Sequence, residues 1–222
     1  VKEESVGIEL LRFALDNGIN FFDTADVYGN GYGEEILEKA FSGSRREIII
    51  ATKFGYDIYS NSGERKGHRE LPQKFSKKDI KYSCEQSLKR LKTDYIDIYQ
   101  MHNPRFDFIN NDEVIETLNE LVDEGKIRCW GMALGPDIGW LEEGIASIKK
   151  NPTSLQIILN LLEQEPSKTL LENSNDPIRD ARIHAMLTYR TPASFSERFN
   201  RTKNHEKKIY NVESWLIHHG DK

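Results

Sequence analysis

Four side chains of kinds that can pass a proton to a carbonyl oxygen stand at or shortly after the ends of three separate apolar runs. Asp23 closes Ile19-Asn20-Phe21-Phe22, and Tyr28 follows five residues later. Lys53 follows Glu47-Ile48-Ile49-Ile50-Ala51-Thr52, and His102 stands just after Tyr95-Ile96-Asp97-Ile98-Tyr99-Gln100. A carboxylate, a phenol, an ammonium and an imidazole are the groups such a transfer needs. Each also has a plainer reading. Asp23 would cap the turn Asp23-Thr24-Ala25-Asp26, Tyr28 would be a half-buried core residue, Lys53 a surface lysine, and a lone His102 structural. Their joint placement favours chemistry over these separate readings.

Placement depends on the elements. Val6, Leu10, Phe13 and Ala14 share one face of a helix expected over about 5–17, ended by Asn17-Gly18. A second helix is expected over 33–41. Ser76-Lys77-Lys78-Asp79 reads as a capping box, and Ile80, Cys84, Leu88 and Leu91 follow at amphipathic spacing. Further helices carry Val114 to Val122 and Ile138 to Ile148. Strands are expected at Ile19–Asp23, Glu47–Thr52, Tyr95–Gln100, Ile127–Gly131, Ser154–Leu161 and Ile183–Thr188, and Gln156 lies in the fifth. Between the second strand and the third helix, 55–75 is a long polar loop of the kind that serves as a lid or binding loop.

Strands alternating with helices demand a parallel sheet, because each crossover returns to the same end. A doubly wound sheet and a (β/α)8 TIM barrel both satisfy this. The first βα turn lacks GxGxxG, which weakens the dinucleotide-binding doubly wound form. A full barrel takes eight strands and about 250 residues. Six strands in 222 residues predict one barrel domain over 1–222, incomplete at one or both ends.

Composition excludes several classes. With 31 Lys+Arg against 36 Asp+Glu, the net charge of −5 argues against a nucleic-acid binder or an anionic-membrane binder. No apolar run reaches the roughly 18 residues of a membrane span. Cys84 and Cys129 form no CxxC, which fits a reducing cytoplasm. The histidines beside His102, at 68, 184, 205, 218 and 219, show no metal-ligand spacing, so no metal is expected. GxSxG is absent, so a nucleophile-elbow hydrolase is unsupported.

Phe22-Asp23-Thr24-Ala25-Asp26-Val27-Tyr28-Gly29, Thr52-Lys53, Gln100-Met101-His102 and Leu121-Val122-Asp123-Glu124-Gly125-Lys126-Ile127-Arg128 occur in this order. Over residues 5 to about 166 the chain resembles the aldo-keto reductase family. The resemblance implies hydride transfer from NADPH to a small aldehyde or ketone by a catalytic tetrad of Asp23, Tyr28, Lys53 and His102. Tyr28 would be the general acid, Lys53 the cation that makes it a usable donor, Asp23 the partner that holds Lys53, and His102 the group that orients the carbonyl. Cofactor contacts would come from Gln156, on the nicotinamide carboxamide, from Asp23, and from Tyr189 or Arg190 near the ring.

The chain departs from the family pattern at three places. Ala133-Leu134 stands where many members carry Ser-Asn. The N-terminal hairpin and first strand are not in the sequence. The eighth strand and its phosphate loop are not recognisable. These departures motivate a second expectation, a cofactor-sensing or regulatory module of the kind exemplified by potassium-channel beta subunits. The particular carbonyl and the oligomeric state are not legible.

Overall fold

Five short strands each pair in parallel with the strand that follows. The computed structural model describes residues 3–60, 70–135, 141–158 and 167–173, and the backbone of 181–184, 203–204 and 209–210. The strands β1 (Phe21–Asp23), β2 (Ile49–Phe54), β3 (Ile96–His102), β4 (Ile127–Ala133), β5 (Ser154–Ile158) and β6 (Ala181–His184) form one six-stranded sheet in that order. All five pairings are parallel. Sequential order is the order of a (β/α)8 barrel, whereas a doubly wound sheet reverses partway. The choice left open above falls to the barrel class.

Helix α1 (Glu4–Asp16) precedes the sheet, and α2 (Tyr32–Phe41), α3 (Lys77–Leu91), α4 (Phe106–Ile109), α5 (Asp112–Asp123), α6 (Leu141–Lys149) and α7 (Ser167–Asn173) follow successive strands. Helix α3 starts where the capping box predicts, with the Ser76 hydroxyl accepting from the Asp79 amide at 3.3 Å. Contacts divide the chain into Val1–His184, which holds this sheet, and Ala185–Lys222. The second unit contains an antiparallel pair, β7 (Lys203–Asn204) and β8 (Ile209–Tyr210).

Side chains alternate along a strand, so register decides which residues share a face. Asp23 pairs with Ala51, Lys53 with Gln100, Gln100 with Gly131, His102 with Ala133, and Ala133 with Gln156. Asp23, Lys53, Gln100, His102 and Gln156 therefore lie on one face. The other face carries Phe54, Tyr99, Met101, Trp130, Met132 and Ile157, which join the helices' Leu37, Ile80, Leu88 and Leu118 in one core. The apolar face meets the helices and the polar face is left to the barrel interior. Gly131 sits on that interior row with Ser154 against it. A Cβ there would approach the Ser154 hydroxyl and lie 2.6 Å from its carbonyl oxygen. Gly131→Ala should destabilise by about 1–3 kcal/mol through overpacking, read as a lowered denaturant midpoint.

Three expectations need correction. The stripe Val6, Leu10 and Phe13 is exposed, while Ile8, Leu11, Ala14 and Leu15 pack on the core. Helix α1 is apolar on two sides, and it is tied to α2 by Arg12, donating to the Ala40 carbonyl at 3.0 Å, and by Glu4, accepting from Tyr32 and Lys39. The second strand begins at Ile49, after a 3-10 turn at Arg45–Glu47, and runs on to Phe54. Lys53 is thus inside a strand, as His102 is at the end of β3. The sixth strand begins at Ala181, before the expected Ile183, while the expected continuations of the fifth strand past Ile158 and of the sixth past His184 fall on 159–166 and 185–202, outside the described residues.

Candidate active site

The turn after β1 is sewn onto β2 beyond the strand proper. The Thr24 amide donates to the Ala51 carbonyl at 2.8 Å and the Asp26 amide to the Lys53 carbonyl at 3.1 Å. This carries Tyr28 over the C-terminal end of β2. The Gly33 amide then closes on the Tyr28 carbonyl at 3.0 Å, where a Cβ would lie 2.6 Å from the Thr24 hydroxyl. Below this turn Glu34, fully buried, accepts from Thr52 Oγ1 at 2.6 Å and from Arg90 Nε at 2.5 Å. Arg90 thereby ties the turn to α3.

Lys53 is buried, and a buried ammonium requires charged or carbonyl partners. It donates to Asp23 Oδ1 at 2.6 Å and to the Thr24 carbonyl at 2.9 Å. Its Nζ lies 5.3 Å from the centroid of the Tyr28 ring. The His102 ring meets the Tyr28 ring edge-on, 5.8 Å between centroids. Tyr28 is 40% exposed whereas Lys53 and His102 are buried. Tyr28 thus stands partly exposed at the rim with a cation, a carboxylate and an imidazole beneath or beside its ring. All four residues singled out from the sequence meet here.

Gln156 is buried on β5. Gln100 Nε2 lies 3.5 Å from both Gln156 Oε1 and Asp23 Oδ2, spanning the interior between them. Gln100 was visible only as part of a motif, and its bridging position follows from register alone. Tyr189 and Arg190 lie outside the described residues. Among the described residues no group of three or more His, Cys, Asp and Glu is arranged to hold a metal. No helix among them is long and apolar enough to cross a membrane.

Asp26, fully buried, is a second carboxyl beneath the turn. Desolvation, and then the neighbouring Glu34, push its pKa well above the ordinary range, against the pull of Arg90 and Lys53. The folded state therefore holds a proton that the unfolded state has released. Stability from this group falls as pH rises from its unfolded pKa, about 3.9, towards the raised folded value. Asp26→Asn should be more stable than the parent at neutral pH, with the gap closing in acid. Thermal melts across pH check this; a constant gap would contradict it.

Residues 2–207 match the model of the Aldo/keto reductase family. The chain belongs to that family. It is 37% identical over 169 residues to the uncharacterized oxidoreductase YqkF of Bacillus subtilis (strain 168), covering 76% of this chain and 52% of that protein. Across four curated relatives the shared stretch spans from 36% to 52% of their length. The aldo-keto reductase AKR11C1 from Bacillus halodurans, in its holo form, superposes with a TM-score of 0.66 at 31% identity, covering 82% of this chain and 57% of that one. An aldo-keto reductase from Klebsiella pneumoniae in complex with NADPH shares the fold, with a TM-score of 0.61 at 24% identity over 82% of this chain and 57% of that one.

Proposed function

We propose that the protein reduces a small aldehyde or ketone to an alcohol using NADPH, with Tyr28 as the general acid. The observation that carries this reading is Lys53 Nζ, fixed by Asp23 and the Thr24 carbonyl, beside a Tyr28 ring whose other neighbour is His102. A tyrosine titrates near pH 10, so it is a poor donor unless its phenolate is stabilised. The Lys53 charge favours the phenolate that remains once the proton has gone to the alkoxide. Asp23 keeps Lys53 in place and charged. His102 supplies a polar edge for the carbonyl oxygen.

The interior row suits the nicotinamide end of the cofactor. Ala133 lies between His102 and Gln156 in register, and its small side chain would let a flat ring approach them. Gln156 would offer the carboxamide both a donor and an acceptor, with Gln100 and Asp23 alongside. The bound cofactor would supply the hydride. On this reading, Ala133 in place of serine leaves the carboxamide to Gln156. Tyr189 and Arg190 are proposed to complete the ring contact.

The test is NADPH oxidation by the purified protein with a generic aromatic aldehyde, alongside cofactor-fluorescence titration. Turnover supports the reductase reading. Tight NADPH binding without turnover would replace it with the cofactor-sensing module. No binding would remove both.

A further inference from the structure

A second set of groups reaches His102 from the 55–75 loop rather than from the sheet. The Asp57 amide donates to the Pro72 carbonyl and the Lys74 amide to the Gly55 carbonyl, each at 2.7 Å. Tyr56 and Gln73 face each other in an antiparallel bridge between these bonds. Residues directly opposite in such a bridge project to the same side. Here both side chains go to His102. Gln73 Nε2 donates to the His102 carbonyl at 3.1 Å and to the Asn103 carbonyl at 2.7 Å. The Tyr56 ring stands edge-on to the imidazole, 5.0 Å between centroids. The Tyr56 hydroxyl accepts from Asn103 Nδ2 at 2.9 Å and donates to Glu70 Oε1 at 2.7 Å.

These bonds converge on the peptide joining His102 to Asn103, immediately after β3. Asn103 has φ +50, in the left-handed region, so the His102 and Asn103 carbonyls turn towards a single amide nitrogen. A non-glycine residue holds that conformation where its surroundings fix it. On the sheet side the Asn103 amide donates to the Ala133 carbonyl at 2.8 Å. Gln73 supplies the opposing side. The stem that carries it is itself packed, since Tyr56, Ile58 and Leu71 form a separate apolar cluster with Ala25 and Val27 of the Tyr28 turn.

We propose that Gln73, assisted by Tyr56, is a positioning residue that fixes the peptide from which the His102 imidazole projects, a role that rests on His102 belonging to the reductase site. Gln73→Met keeps the length and removes both donors. It should lower kcat by roughly 10- to 100-fold with a smaller change in KM, since a displaced imidazole is felt at the reacting oxygen. Gln73→Glu sets an acceptor against two carbonyls, which raises its pKa above the usual value of about 4.3. Once protonated it donates again. Its activity relative to the parent should therefore recover as pH falls from about 8 towards about 5, while that of Gln73→Met should not.

A readout independent of turnover is the His102 imidazole resonance, assigned by its loss in His102→Phe. It should shift in Gln73→Met and return towards the parental position in acid for Gln73→Glu. Parental kinetics and an unmoved resonance in both variants would overturn the role. So would a loss in Gln73→Glu that is the same at every pH. If the parent protein reduces no carbonyl, the reductase reading fails while the resonance still decides whether Gln73 positions His102.

Discussion

Tyr28→Phe should lower the kcat/KM of NADPH-dependent carbonyl reduction by about 10²–10⁴-fold, the contribution of a positioned general acid. The substitution removes one O–H and leaves the ring. The ring's edge contact with His102 and its approach to Lys53 persist, because both involve the aromatic carbons. Tyr28 is 40% exposed, so the substitution leaves no deeply buried void. Melting and cofactor titration should therefore match the parent while the rate collapses. Steady-state rates with one aldehyde, beside a thermal melt, make the comparison. Equal rates in the two proteins would take the phenol out of its role.

Lys53→Met should be the most destabilising of the changes considered, by about 3–5 kcal/mol, because it strands a buried carboxylate. The Lys53 side chain is 3% exposed and that of Asp23 10%, at an N–O distance of 2.6 Å. Methionine fills the volume but leaves Asp23 without its counter-charge and the Thr24 carbonyl without its donor. The double variant Lys53→Met with Asp23→Asn should regain much of that loss, since no unpaired charge remains. Activity should not return with stability, because the phenolate of Tyr28 still lacks a cation. Denaturant midpoints of the two singles and the double form the cycle, and rates on the same samples separate the two effects. Additive losses in the double variant would mean that the pair is not coupled.

Much of the site was legible because its residues lie at or near the C-terminal ends of short strands, and strand ends in a parallel sheet share one edge. Asp23, Tyr28, Lys53 and His102 could be named from that rule. Gln156 could be placed in the fifth strand, but its role came only by resemblance. Gln100 showed only as part of the Gln100-Met101-His102 motif, and Gln73 gave no signal. The first acquires its position from a two-residue repeat in register with its neighbours, the second from a bridge across a loop whose ends are 17 residues apart in sequence. Helix α1 shows the limit of periodicity. It offers two apolar stripes, and the docking of α1 on its neighbours, through Arg12 and Glu4 to α2 and through Ile8, Leu11, Ala14 and Leu15 to the core, decides which one is buried.

Local sequence alone determined the alternation of strand and helix, the caps at Ser76 and Gly18, and the kinds of chemical group at each strand end. These follow from interactions between residues a few positions apart. The tertiary structure decided barrel order over the doubly wound alternative, the face each strand turns inward, and the meeting of an ammonium, a carboxylate, a phenol and an imidazole. Those depend on the register in which separate strands pair, and a slip of one residue in β2 or β3 would have turned Lys53 or His102 from the interior into the helix layer.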